Sequence, residues 1–73
     1  MKLEVGRIYK LIPKMGTDTA YFKCVEEKDI EGVWYVISVF GGSVLELPAK
    51  WFDDWDIRIS NKSEVLMNAL DEW

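Results

Sequence analysis

Val33-Trp34-Tyr35-Val36-Ile37-Ser38-Val39-Phe40, then Gly41-Gly42, then Val44-Leu45-Glu46-Leu47, then Pro48-Ala49-Lys50-Trp51-Phe52: this order decides the fold. The first run is apolar and rich in β-branched and aromatic residues, which fit a pleated surface. Gly41-Gly42 supplies the positive φ that a two-residue hairpin turn requires. The second run is a short strand, and Pro48 opens a tight helical turn. A hairpin followed by such a turn is how the last part of a small five-stranded barrel is built.

Working outward, Val5 to Ile12 is β-rich and stops at Pro13, which cannot donate to a sheet ladder. Its alternation leaves either face eligible for burial: Arg7, Tyr9 and Leu11, or Ile8, Lys10 and Ile12. Residues 13–19 form a loop by composition. Ala20 to Glu27 reads as a second strand with Phe22 and Cys24 inward and Lys23 outward. Glu27 to Gly32 is a charged hairpin connection, and Trp55 to Ser60 a last short strand. The tail changes period: Asn61 with Glu64 has capping-box spacing. Val65, Leu66, Ala69, Leu70 and Trp73 then fall on one stripe of a 3.6-residue helix.

The expected fold is mainly β: a five-stranded antiparallel small barrel over residues 3–60 with a C-terminal α-helix over 61–73, all one domain. The strand 33–40 is apolar on both faces, so both must be covered or used at an interface, and the helix is the expected cover for its second face. The expected core is Phe22, Val36, Ile37, Val39, Leu45, Leu47 and Leu66.

Residues 31–57 resemble the Src-homology-3 family. Its pattern is an acidic turn with Gly, an aromatic pair starting a strand, a Gly-containing turn, a short strand, and Pro-x-x-aromatic on a helical turn. Here these are Glu31-Gly32, Trp34-Tyr35, Gly41-Gly42, Val44 to Leu47, and Pro48 to Phe52. The resemblance implies a barrel of that type. It also implies a proline-rich-peptide groove at Trp34, Pro48 and Trp51, hence a peptide-binding adaptor as one functional alternative. The family's tyrosine-bearing N-terminal motif has no counterpart in Gly6 to Leu11, so only half of that groove is matched.

At 73 residues, 49% hydrophobic and 14% aromatic, the chain can offset its ordering entropy without disulfides. The single cysteine, Cys24, forms no internal disulfide and no cysteine metal cluster, which fits a reducing compartment. Residues 1–7 are charged from the start and lack the apolar core of a secretory leader. The longest apolar run is about eight residues, against roughly 20 needed to span a bilayer. A cytoplasmic protein with no membrane contact is expected.

With no histidine, the usual general base and nucleophile activator are missing, and no enzymatic activity or cofactor is expected. Asp53-Asp54-Trp55-Asp56 reads as a solvated acidic turn, since adjacent acids diverge rather than converge on a metal.

Residues 1–25 carry five cations against two acids; residues 26–73 carry four against eleven, giving a net −4. Direct nucleic-acid binding is therefore disfavoured; as an alternative it would use the basic, aromatic first third (Arg7, Tyr9, Lys10, Lys14, Tyr21, Lys23). The acidic remainder suits a protein partner with a basic surface. Four tryptophans exceed what a small core needs, and Trp is enriched in binding hot spots; Trp34, Trp51 and Trp73 are the expected anchors. The expected partner-binding set is Trp34, Trp51 and Pro48 with Glu27, Asp29, Glu31, Asp53 and Asp54. In its most specific form this is a phage-type inhibitor whose two acidic turns imitate phosphates and block a nucleic-acid-handling enzyme. Homodimerisation is a further alternative.

Overall fold

The computed structural model describes residues 2–15 and 19–68, the side chains of Leu66 and Asn68 excepted. Five strands, β1 (Ile8–Ile12), β2 (Ala20–Asp29), β3 (Val33–Val39), β4 (Ser43–Pro48) and β5 (Asp56–Ser60), are joined in one antiparallel sheet. A 3-10 helix, Ala49–Asp54, links β4 to β5, and a short helix α1 (Lys62–Asn68) follows. The strand order is β4-β3-β2-β1-β5. The sheet is open, with β4 and β5 at its edges, and it wraps around a core as a small barrel-like sheet.

The long strand β2 serves both halves: residues 20–23 pair with β1, and residues 22–29 pair with β3. A bulge at Val25 separates Cys24↔Ile37 from Glu26↔Val36. One extra residue bends the strand and exchanges its faces beyond that point.

The core is one cluster of Leu3, Tyr9, Phe22, Cys24, Tyr35, Ile37, Phe52 and Ile57, with Leu11, Val39, Leu47, Ala49 and Trp51 packed against it. Its aromatic rings run in contact from Tyr9 to Phe22 (5.6 Å), Phe22 to Phe52 (5.9 Å) and Phe52 to Tyr35 (5.8 Å). Phe22 and Cys24 point inward as expected. Tyr9 settles the face of the first strand: it is buried, and its phenol oxygen accepts a hydrogen bond from the Glu4 N–H at 2.8 Å.

Parts of the expected core differ. Val36 alternates with Tyr35 and Ile37, so it lies half-buried on the outer face. Leu45 shares the core-side face but sits on an edge strand and stays 46% exposed. Leu66 lies outside the described side chains. The first strand begins at Ile8 rather than Val5, because Gly6 turns the chain at φ 89°. The β3–β4 turn has both glycines at positive φ (110° and 117°), as the sequence demands, but three residues separate Val39 from its partner Ser43.

Helix α1 starts where the capping signal places it. The expected helix ran from 61 to 73; Lys62–Asn68 is described, and Ala69, Leu70 and Trp73 lie outside the described residues. Asn61 caps it, its Oδ1 accepting the Glu64 N–H at 2.8 Å. The Glu64 carboxylate accepts from the Ser60 hydroxyl and from Lys10 Nζ at 2.9 Å. Lys10 is on β1, two strands from β3. The described part of α1 thus meets β1, and the rest of the expected apolar stripe lies outside the described residues.

The Ser60 hydroxyl, and after it the Lys10 ammonium, hold the Glu64 carboxyl below the usual carboxylate range, while Glu64 raises Lys10 above its ordinary value. The folded state thus binds the Glu64 proton more weakly than the unfolded chain. This stabilisation is complete above the ordinary carboxylate pKa and is lost as pH falls through the lowered folded value. The Lys10 contribution is complete below the ordinary lysine pKa and is lost as pH rises through the raised value. Thermal melts across pH should show a flatter acid limb for Glu64→Gln than for the wild type; an unchanged limb would mean that the contact contributes nothing.

Candidate interaction face

Cross-strand partners share a face of the sheet, so the register states which side chains stand together. On the outer face of β2-β3-β4, Lys28 pairs with Trp34 and Trp34 with Pro48; one step along, Glu26 pairs with Val36 and Val36 with Glu46. Lys28 Nζ reaches Glu46 Oε2 at 3.5 Å across the intervening strand, an exposed pair of little energetic weight.

Three adjoining depressions cross this face. The first, about 290 Å³, is lined by Lys28, Ile30, Glu31, Trp34 and Glu46. The second, about 350 Å³, shares Glu31 and Trp34 with it and extends to Pro48 and Lys50. The third, about 440 Å³, shares Pro48 and Lys50 and adds Trp51, Asp53 and Asp54. The result is a continuous trough with Trp34, Pro48 and Trp51 along it. The 3-10 helix opens at Pro48, whose φ of −67° is already that of a helix start. Its two turns bury Phe52 and leave Trp51 half-buried beside it.

The expected site residues divide. Trp34, Pro48, Trp51, Glu31, Asp53 and Asp54 line the trough. Glu27 and Asp29 do not: past the Val25 bulge they pair with Tyr35 and Val33 on the opposite face. They were grouped with Trp34 as part of the charged hairpin connection beside it, and no Gly or Pro near Val25 announces the bulge. The register brings two other acids, Glu26 and Glu46, to the Trp34 face.

Trp55 was passed over. It stacks on Trp51 with centroids 5.3 Å apart at 29°, while Phe52 meets Trp51 edge-on at 5.1 Å and 82°. No sequence spacing announces this contact, because Trp55 lies just past the 3-10 helix in extended backbone.

Glu31 has φ 53° in the turn beside Trp34. The left-handed region is costly for any side chain with a Cβ and open to glycine. Glu31→Gly is expected to raise stability by about 0.5–1 kcal/mol, read from a urea titration; a loss of stability would mean that the carboxylate holds the turn.

Elsewhere, burial pushes the Cys24 thiol up, which makes it a poor nucleophile. Among the described residues no three Cys, Asp or Glu side chains gather into a metal-binding set. No described helix is long and apolar enough to cross a membrane. Of the basic, aromatic first third, Tyr9 is committed to the core and Lys10 to Glu64. Comparison with protein-family models, with curated proteins and with solved structures finds no match to this chain.

Proposed function

We propose that this protein is a non-catalytic binding module that engages a partner protein with a basic surface through the trough of Trp34, Pro48 and Trp51. The observation that carries the reading is that the three depressions share lining residues, Glu31 and Trp34 and then Pro48 and Lys50, so that two half-buried indoles and a proline line adjoining hollows. Aromatic anchors in a desolvated centre supply affinity, and rim charge supplies on-rate. The trough carries four acids, Glu31, Glu46, Asp53 and Asp54, against Lys28 and Lys50.

That pattern bears on the narrower idea of an inhibitor imitating nucleic acid. Lys28 bridges Glu46 at one end, Lys50 stands between the two ends, and Glu27 and Asp29 are turned away, so no unbroken row of carboxylates crosses the face. The reading therefore rests on aromatic anchors with an acidic bias. An elongated trough at the Trp34, Pro48 and Trp51 positions also favours a second, related reading, in which the partner presents an extended peptide segment.

The test is capture of a partner from a lysate of the source cells at low salt, followed by elution in steps. A partner released by about 0.5 M salt, where screening acts within a few Å, supports the reading. Asp53→Lys with Asp54→Lys is expected to slow association and flatten its salt dependence. A partner retained equally by that double variant at all salt concentrations would overturn it. Co-purification of RNA or DNA in place of protein would favour a nucleic-acid-binding barrel. If the captured partner is a nucleic-acid enzyme, added nucleic acid should compete for it under the inhibitor reading.

A further inference from the structure

Strand β4 is an edge of the open sheet: among the described residues, β3 is the only strand beside it. An edge strand aims a row of backbone N–H and C=O groups away from its neighbour, a template for one more strand. Natural edges are blunted by bulges, charges, lysine or proline. The other edge, β5, carries exposed Asp56 and Arg58. In contrast, β4 keeps its register with β3 over six consecutive pairs without a bulge, and Pro48 interrupts only its last position. Its one charge, Glu46, is met by Lys28 of the same chain at 3.5 Å. Val44, on the outer face, is 67% exposed, and Leu45, on the core side, is 46% exposed.

We infer that two copies of this chain pair through β4, antiparallel about a two-fold axis at Leu45. A foreign strand added to an edge is selected by pockets for its side chains. None of the trough's depressions is lined by Val44 or Leu45, whereas a second copy brings the matching residues itself. With the axis at Leu45 the two Leu45 side chains meet and cover each other. Ser43 then stands opposite Leu47, and Val44 opposite Glu46, of the second copy, so residues 43–47 are all paired. An axis at Glu46 sets two carboxylates directly opposite, which is destabilising, and brings Pro48, with no N–H, into the ladder. An axis at Val44 pairs only residues 43–45 within the strand. Five residues a side are far fewer than the roughly 20–30 of a standard interface, so the dimer is weak and reversible, with a Kd on the order of 0.1 mM. The inference does not rest on the role of the trough.

The test is sedimentation velocity from about 10 µM to about 1 mM protein, with amide spectra of isotope-labelled protein over the same range. Expected are an average mass rising from that of one chain towards that of two, and concentration-dependent amide shifts centred on residues 43–47. Val44→Glu sets a carboxylate opposite Glu46 of the other copy, twice per dimer; Val44→Lys sets an ammonium there. Both should fold, because Val44 is exposed, and the lysine variant should associate about tenfold more tightly than the glutamate variant. A protein that stays monomeric to about 1 mM, shifts centred on β5 or on the trough, or equal association of the two variants would overturn the pairing. Should either variant melt well below the wild type, the wild-type mass and amide series decide alone.

Discussion

Phe52→Ala is expected to leave the chain largely unfolded at room temperature. Phe52 is fully buried and sits where the aromatic contacts meet, with Phe22 at 5.9 Å, Tyr35 at 5.8 Å and Trp51 at 5.1 Å. Truncating a buried Phe costs about 3–5 kcal/mol through lost transfer energy and the cavity left behind. A domain of this length typically has about 4–11 kcal/mol in total. Three ring contacts vanish together, and two of them tie the 3-10 helix to strands that are distant in sequence. Phe52→Leu keeps most of the volume and should fold with a melting temperature lower by about 4–15 °C. Circular dichroism melts of both variants decide the matter. If Phe52→Ala melts within a few degrees of the wild type, the core is not centred on this residue.

That centre was only half legible in the sequence. The hairpin, the Gly41-Gly42 turn and the helical turn at Pro48 were readable because each rests on local chemistry: β-branched runs, positive φ and a fixed φ. The inward Phe22 and Cys24 followed from simple alternation. Alternation could not rank Tyr35 above Val36, since both faces of that strand are apolar, and the choice depends on where the 3-10 helix places Phe52. The burial of Leu3 was not signalled either; it depends on the turn at Gly6 bringing the N-terminal segment against β2.

The site shows the same division. Trp34, Pro48 and Trp51 were identified from their order along the chain, and the register brings the first two side by side across β3 and β4. The acids were assigned by proximity in sequence, which works on a turn but fails across a bulge. Glu31 and Asp54 stayed with the aromatic residues; Glu27 and Asp29 went to the other face. Periodicity revealed the helix and its apolar stripe; the Lys10–Glu64 contact that ties its first turn to β1 spans 54 positions of sequence, so no local signal announced it.

The second large effect belongs to Trp34. Trp51→Ala confounds two losses, because Trp51 packs against the core cluster as well as lining the trough. Trp34 separates them: it is half-buried on the outer face of β3, between Lys28 and Pro48, and is not among the residues packed against the core. Trp34→Ala is therefore expected to cost no more than about 1 kcal/mol of stability, as for a surface residue. It should weaken binding of the captured partner by on the order of 2 kcal/mol, or about thirtyfold, as for a hot-spot indole. Isothermal titration beside a thermal melt gives both numbers from one preparation. Because the indole acts after encounter, the loss should fall in the dissociation rate, whereas reversing Asp53 and Asp54 should act on association. A Trp34→Ala protein that melts normally and binds normally would remove the trough from the binding surface, whatever Trp51→Ala does. One that loses binding with its fold intact would fix the trough as the contact, because nothing in the core then remains to explain the loss.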